Sequence, residues 1–216
     1  MANVIKIKKG LDINLKGKAS DVLLNGGKSD SYAIVPDYYN GIVPKVVAKV
    51  GEKVKAGSVL MIDKNRPEIK FVSPVSGEVT AVNRGEKRKV LSVVVKPEAQ
   101  IEYEDFGKKN VASLKREEVK EAILHAGMWP FIKQRPYDIV ASPADEPRDI
   151  FVSAFYSAPL APNFDFVVKG QAVDFQTGLD ALAKLTDGKV YVGIRKGSSV
   201  SVKGVETVEV EGPHPA

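Results

Sequence analysis

The sequence has 216 residues, 44% hydrophobic and 27% charged, a balance that allows one large or two small globular domains to bury a core. Its formal net charge of +5 is spread without a long basic block, which argues against a nucleic-acid-binding arm. The absence of cysteine excludes disulfides, thiolate iron–sulfur clusters and cysteine zinc sites within these residues. No signal-peptide pattern and no apolar run of membrane-spanning length is present, so we expect a cytoplasmic chain without a transmembrane segment.

The first hundred residues are predicted to form mostly strands. Near the amino terminus, apolar residues alternate with polar ones in the stretch VIKIKKGLDINLKG. Between residues 34 and 96, short runs rich in Val and Ile are separated by Gly and Pro, which is typical of a small sandwich or barrel. We therefore predict a β-rich region over residues 1–100.

The sequence changes character after residue 100. Ser113 can cap a helix that Gly127 can end, with apolar residues at helical spacing between them. The four prolines of MWPFIKQRPYDIVASPADEPRD predict an extended connector after this helix. The stretches DIFVSAF and VYVGI are then predicted as buried strands on either side of a helix that Asp174 can cap. Strand, helix and strand in this order predict parallel pairing in an α/β layer.

The sequence Gly-Glu-Lys occurs twice, starting at Gly51 and at Gly85. Because each copy lies between predicted strands, we expect two similar glycine turns on the two sides of one small sandwich. The wider pattern, VVAKVGEKVKAGSVL followed by FVSPVSGEVTAV, resembles the biotinyl/lipoyl-type barrel-sandwich hybrid domain. In that family a lysine on a hairpin between the two halves carries biotin or lipoate. Lys64 stands near that position, but it lacks Met-Lys-Met neighbours and Pro67 lengthens the segment, so we predict an unmodified surface lysine.

No catalytic residue and no metal site are predicted. The sequence contains no glycine-rich phosphate loop of a recognised pattern. The stretch VGIRKGSS, residues 192–199, contains Arg195 and Lys196 beside two glycines, but we favour an ordinary basic turn over an anion site. His125 falls inside a predicted helix, where a structural role is favoured. The spacing of His125, His214, the serines and the acids indicates no nucleophile–base set.

The segment MWPFIKQRPY, residues 128–137, concentrates the only tryptophan, two more aromatic residues and two cations. Aromatic faces beside polar donors suit a flat ring ligand or a partner protein. The alternative is that this segment packs as a connector between two domains. The residues that we single out as candidate ligand or partner contacts are Trp129, Phe131, Arg135 and Tyr137.

Several long stretches resemble the A subunits of sodium-translocating NADH:quinone reductases. They are IKIKKGLDINLKG, LMIDKNRPEIKFVSPVSGEV, HAGMWPFIKQRPYDIVASPADEPRDIFVSAFYSAPLAPN and EGPHPA, in the order of the family. The resemblance implies a mixed α+β fold, in which a biotinyl/lipoyl-like barrel-sandwich domain precedes a Rossmann-like α/β layer without a cofactor loop. Because family members are about twice as long, it also implies truncation before a β-grasp domain. The predicted divisions are a β-rich region at 1–100 with the barrel-sandwich at about 34–100, a helix and connector at 101–137, and the Rossmann-like domain at 138–216.

The resemblance also implies a function. The family subunit is peripheral, on the cytoplasmic face of the bacterial inner membrane, and associates with the membrane through partner subunits. The complex oxidises NADH, reduces quinone and exports sodium, and its flavins and iron centres belong to other subunits. For this chain the resemblance implies no tightly bound cofactor, no catalysis in isolation, no nucleic-acid partner, and quinone as a ligand. Trp129, Phe131 and Tyr137 would offer ring surfaces, and Arg135 a donor to a quinone carbonyl.

Two other functions stay open at this point. One is a lipoyl- or biotinyl-type carrier that uses Lys64. The other is a purely architectural subunit of an Rnf-like electron-transfer complex. The absence of cysteine argues against a cluster-bearing subunit within these residues.

Overall fold

The structure, a computed structural model, describes residues 3–17 and 20–215. The chain consists of two compact units, each with most of its contacts inside itself. The predicted domains at 1–100, 101–137 and 138–216 are a different division, and they stay a prediction. The β-rich unit consists of Gly26–Lys109 and Glu117–Asp145, and the α/β unit consists of Met1–Asn25, Asn110–Arg116 and Glu146–Ala216.

Strands dominate the described residues, and the helices are few and short. The strands are β1 (Asn3–Lys6), β2 (Tyr32–Ile34), β3 (Pro44–Val46), β4 (Lys53–Val54), β5 (Val59–Asp63), β6 (Lys70–Val72), β7 (Gly77–Arg84), β8 (Val90–Pro97), β9 (Lys133–Gln134), β10 (Ile139–Val140), β11 (Ile150–Ser153), β12 (Val190–Arg195) and β13 (Glu206–Glu211). The helices are α1 (Arg116–His125), α2 (Phe164–Val167) and α3 (Ala172–Ala183), with 3₁₀ turns at Pro36–Tyr38, Glu86–Arg88, Val111–Ser113 and Trp129–Phe131. Within the described ranges, none of these helices has the length and hydropathy to cross a membrane.

Besides the short antiparallel pair of β9 and β10, the β-rich unit contains two larger antiparallel sheets, as the short Val- and Ile-rich runs predict. One sheet has the strand order β2-β8-β7-β4 and the other has the order β3-β5-β6. Alternate residues of β8 point into the core, because side chains on a strand alternate between its two faces. Val93 and Val95 are fully buried there, and Leu60 of β5 joins them in the same apolar cluster.

The two Gly-Glu-Lys copies form different turns, so the expectation of two similar glycine turns is wrong. Gly51 has a φ of 88°, a left-handed conformation that strains residues with a β-carbon. Gly85 has a φ of −99°, which is extended. At the second copy the positive φ values fall on Lys87 and Arg88, at 51° and 64°. The shared residues by themselves therefore do not determine the conformation of the turn.

Both predicted helices are present, but their amino-terminal caps differ from the prediction. Ser113 lies in a 3₁₀ turn that the side chain of Asn110 caps, and α1 begins at Arg116. Gly127 follows the end of α1 with a φ of 68°, the conformation that favours glycine after a helix. Asp174 lies inside the first turn of α3, where its charge still favours the helix dipole, instead of capping it.

The α/β unit is built on a four-stranded parallel sheet with the order β1-β13-β12-β11. The parallel pairing predicted for DIFVSAF and VYVGI is confirmed, since Val152 of β11 lies opposite Val192 of β12. The first strand of the chain also belongs to this sheet, since Val4 of β1 lies opposite Glu209 of β13.

Candidate functional site

Residues 128–141, which we call the aromatic hairpin, form a 3₁₀ turn followed by two short antiparallel strands. Gln134 of β9 lies opposite Ile139 of β10. The segment is therefore not the extended connector that its prolines predicted. The four residues between the strands, 135–138, form the tip of the hairpin, so Arg135 and Tyr137 lie at its end.

Trp129 is buried and joins the two ends of the aromatic hairpin. Its side chain is 5% exposed, and its indole nitrogen donates a hydrogen bond of 2.8 Å to the carbonyl of Ala141. A buried indole with a satisfied donor presents little ring surface to a ligand. Its predicted contact role stays a prediction, and its position makes its fluorescence a reporter of this unit.

Phe131 ends a row of three aromatic rings that runs from the core to the surface. Phe71 is 2% exposed, and its ring centroid is 4.8 Å from that of Tyr39, at an interplanar angle of 70°. The Tyr39 centroid is 6.3 Å from that of Phe131, at 72°. Both pairs have the edge-to-face geometry that aromatic rings prefer. Phe131 itself is 66% exposed, so the row holds an apolar ring at the surface.

Tyr39 is the middle ring of this row, and its phenol is neutral at physiological pH. Burial raises its pKa above the ordinary value of 10.0, because the charged form loses hydration. The phenol therefore keeps its proton, and the row places no negative charge beside Phe131.

Arg135 and Tyr137 are exposed at the tip of the aromatic hairpin. Tyr137 is 72% exposed, and the side chain of Arg135 is 75% exposed. The Nη1 atom of Arg135 lies 3.7 Å from a carboxylate oxygen of Asp138, whose other oxygen lies 3.0 Å from Nζ of Lys133. An ion pair this exposed holds its partners weakly, so the guanidinium can turn toward a ligand.

Arg66, which sequence reasoning missed, ties down the base of the aromatic hairpin. Its guanidinium donates to the carbonyl of Val140 at 3.0 Å and to the carbonyl of Gly41 at 2.9 Å. Its Nε atom donates to Asp63 at 2.7 Å. One side chain thus joins β10, the loop before β3 and the end of β5. The planar array of donors on arginine suits this bridging role.

Asp63 binds Arg66 from a buried position, and we call this pair of residues the clamp. It is 1% exposed, and its second carboxylate oxygen accepts from the backbone nitrogens of Val43 and Asn65, both at 3.1 Å. With the Nε atom of Arg66, three donors thus surround this one carboxylate. The signal in the sequence is an Asp and an Arg three residues apart, which sequence reasoning did not single out.

Lys64 lies between the two members of this clamp. Its side chain is exposed, and its backbone nitrogen donates to the carbonyl of Val43 at 2.7 Å. The neighbours of Lys64 serve to bind the loop to β3 and to the aromatic hairpin. That Lys64 is unmodified stays a prediction.

A second group of residues meets at the carboxyl ends of the parallel strands in the α/β unit, the edge where open α/β sheets bind ligands. The carbonyl of His214 accepts from the backbone nitrogen of Leu11 at 3.0 Å, and its own nitrogen donates to Asp12 at 2.9 Å. Its Nδ1 atom lies 3.0 Å from the hydroxyl of Ser157. Asp12 binds the backbone rather than the ring of His214, so these residues form a structural junction, not a Ser-His-Asp triad.

The turn at VGIRKGSS lies at the same edge, and its donors are occupied by the protein's own carboxylate. Asp165 accepts from the hydroxyl of Ser198 at 2.6 Å and from the backbone nitrogen of Ser199 at 3.0 Å. The Ser198 hydrogen bond is the main cause that lowers the pKa of Asp165 below its ordinary value of 3.8. Lys196 pairs with Glu211 at 2.9 Å. This arrangement is that of an ordinary turn that an internal acid stabilises.

A shallow depression of about 250 Å³ lies at the opposite edge of the parallel sheet. It is lined by Val190 and Glu206, the first residues of β12 and β13, and by nearby glycines. Ligand sites of open α/β sheets lie at the carboxyl ends of the strands, so this depression is in the wrong place for one.

Two family profiles match nearly the whole chain. The NqrA N-terminal barrel-sandwich hybrid domain matches residues 5–98, and the NqrA second alpha/beta domain matches residues 114–216. Curated relatives, each named as the A subunit of a Na(+)-translocating NADH-quinone reductase, include proteins from Neisseria meningitidis at 38%, Vibrio atlanticus at 39% and Photorhabdus laumondii at 35% identity. Each match covers 99% of this chain and 49% of the relative. The chain thus spans about half the length of these relatives.

These matches confirm the predicted fold class, a barrel-sandwich hybrid domain with an α/β domain. They favour neither the hypothesis of a lipoyl- or biotinyl-type carrier that uses Lys64 nor the hypothesis of an architectural subunit of an Rnf-like complex. They assign no role to Trp129, Phe131, Arg135 or Tyr137, whose contact with a ligand or partner stays a prediction. The chain belongs to the NqrA family and carries its N-terminal barrel-sandwich hybrid domain and its second alpha/beta domain.

Proposed function

We propose that this chain works within the NqrA component of a complex that oxidises NADH, reduces quinone and exports sodium. The observation that supports this function is the match of both domains to NqrA relatives over 99% of the chain. In this function the chain is peripheral on the cytoplasmic face of the membrane, where it docks on other subunits. It binds no cofactor tightly, and NADH, the flavins and the iron centres contact those other subunits.

The first test is association with the remaining subunits. A tagged form of the chain is produced in a Vibrio strain whose own NqrA gene has been deleted, and membranes are separated from soluble protein. We expect most of the chain in the membrane fraction and co-purification of other subunits of the complex after detergent extraction. The matched control is a strain that lacks the whole complex, in which the chain should stay soluble. Equal distribution in the two strains would contradict the proposal.

Within this function, the aromatic hairpin is the proposed contact for quinone or a partner subunit. Phe131 and Tyr137 expose aromatic rings, and Arg135 carries donors that only a weak surface pair restrains. A quinone head group needs a ring to stack on and a donor to a carbonyl oxygen. The row of rings behind Phe131 and the clamp formed by Arg66 hold these side chains in place before a ligand arrives, which reduces the entropy lost on binding.

The second test is titration of the chain with a short-chain quinone, followed by the fluorescence of Trp129. We expect saturable quenching, with a Kd about tenfold weaker after Phe131→Ala or Arg135→Ala, because each removes one contact of roughly 1.4 kcal/mol. Tyr103→Ala is the matched control, since Tyr103 is an equally exposed aromatic residue of the same unit, and it should leave the Kd unchanged. Free tryptophan amide corrects for light absorbed by the quinone. Quenching no steeper than that of the free amide would contradict a quinone site at the aromatic hairpin.

A further inference from the structure

The parallel sheet of the α/β unit is covered on one face. On β12, Val190, Val192 and Ile194 are 4%, 0% and 5% exposed, and they pack with Leu179 of α3 in one apolar cluster. The loop between β12 and β13 packs against the same cluster through its valines. Among the described residues of this unit, the buried apolar cluster thus lies on the α3 side of the sheet.

The middle of the opposite face is apolar. Among the described residues, its members on the two edge strands are exposed and those on the two central strands are half-buried. Strand register places its members side by side, because residues paired across parallel strands point to the same face. Phe151 is 70% and Ile5 is 49% exposed. We call this face, which consists of Ile5, Phe151, Tyr191, Gly193, Val208 and Val210, the open face.

Gly193 lies in the middle of the open face, and the space above it is largely empty of protein atoms. A β-carbon built on Gly193 meets only the backbone oxygen of Val152, at 3.8 Å, within 4 Å in the part of the chain that the structure describes. Beside it, Phe151 and Tyr191 stack with ring centroids 5.1 Å apart and an interplanar angle of 13°. A flat pair of rings and a glycine form a smooth apolar surface of the kind that a helix packs on.

Parallel sheets occur almost only with both faces covered, because their strands carry apolar residues on both sides. The NqrA relatives are about twice as long as this chain, which covers 49% of them. Since this chain matches the N-terminal and second domains, the unmatched half of a relative follows the second domain. We propose that the open face is the docking surface for that second half of NqrA, and that an amphipathic helix of it lies on the sheet.

The size of the open face favours a tethered occupant over a separate protein or a second copy. Four strands about 4.8 Å apart and about five residues long make a surface of roughly 300 Å². Stable complexes of separate proteins bury about 800 Å² on each partner, so this face alone would hold a free partner weakly. A helix about 10 Å wide on the same polypeptide has an effective concentration in the millimolar range and needs no larger surface.

The test uses the absence of cysteine in this chain, which lets one introduced thiol report one position. Gly193→Cys places the thiol on the open face. Gly178→Cys is the matched control, because Gly178 lies on α3 with nothing within 4 Å of a built β-carbon. The rate of maleimide labelling is measured in this chain and in this chain joined to the second half of the Neisseria meningitidis relative. We expect at least tenfold slower labelling of Gly193→Cys in the joined protein, and a change below twofold for Gly178→Cys.

Two further measurements show whether the proteins are folded and provide a second test if the joined protein is not. Ala154→Cys, at a core position 3% exposed, must stay unlabelled in both proteins, which shows that the α/β unit is folded. If the joined protein fails this check, the second half of the Vibrio atlanticus relative is joined to this chain instead, and protection of Gly193→Cys is measured there. Equal labelling of Gly193→Cys with and without the second half would overturn the proposal. Protection and disulfide-linked dimers in this chain alone would overturn it in favour of a second copy.

Discussion

Replacing Asp63 with alanine is expected to lower the free energy of unfolding of the β-rich unit by about 3 kcal/mol. Removal of one partner from a buried ion pair costs about 3–5 kcal/mol, because the other charge stays buried without compensation. Arg66 keeps 20% exposure, which places the expected loss at the lower end. The backbone nitrogens of Val43 and Asn65 also lose their acceptor. Urea unfolding followed by Trp129 fluorescence measures the change.

Asp37→Ala is the matched control for this loss. Asp37 pairs with Lys89 at 2.8 Å, nearly the distance of the Asp63–Arg66 pair, but both side chains are more than half exposed. Exposed pairs contribute about 0–1 kcal/mol, so the control should change the unfolding free energy by less than about 1 kcal/mol. Equal losses in the two variants would show that burial of Asp63 is not what makes the clamp stabilising.

Replacing Gly212 with alanine is expected to destabilise the junction between the two ends of the α/β unit by at least about 2 kcal/mol. Gly212 has a φ of 143°, which strains a residue with a β-carbon, and such strain costs about 1–3 kcal/mol. The added β-carbon would also lie 2.3 Å from the backbone oxygen of Ile7, which cannot move as a flexible side chain would. Overpacking of this kind costs about 1–3 kcal/mol more.

Amide hydrogen exchange measures the local stability of this junction. The amides of Ile7 and Leu11 donate to Glu211 and His214, and local opening should expose both about 30-fold more often after a loss of about 2 kcal/mol. Gly204→Ala is the control, because Gly204 has a φ of 70° but nothing within 4 Å of a built β-carbon. This control should change the exchange rates of the two amides by less than a few fold. Unchanged exchange in Gly212→Ala would mean that the junction accommodates the β-carbon without loss of stability.

Trp129 differs in exposure from the three residues with which the sequence groups it. Sequence reasoning placed it with Phe131, Arg135 and Tyr137 because the four are close in the chain and carry suitable groups. The structure leaves the last three exposed and buries Trp129 against Ala141. Neighbours in sequence were separated by the 3₁₀ turn, since a turn of three residues points successive side chains in different directions. Exposure of each ring thus depended on what packs behind it.

The sequence by itself determined the fold class, the parallel pairing of β11 with β12 and the family, because strand alternation, helix spacing and long matching stretches are all local patterns. The tertiary structure alone decided that β1 pairs with β13, that Asp63 and Arg66 clamp the aromatic hairpin, and that His214 meets Asp12, 202 residues away. Such contacts depend on the packing free energy of the whole unit, which no short stretch encodes. Strand alternation likewise reveals that a parallel sheet needs a cover on both faces, but not which residues supply it.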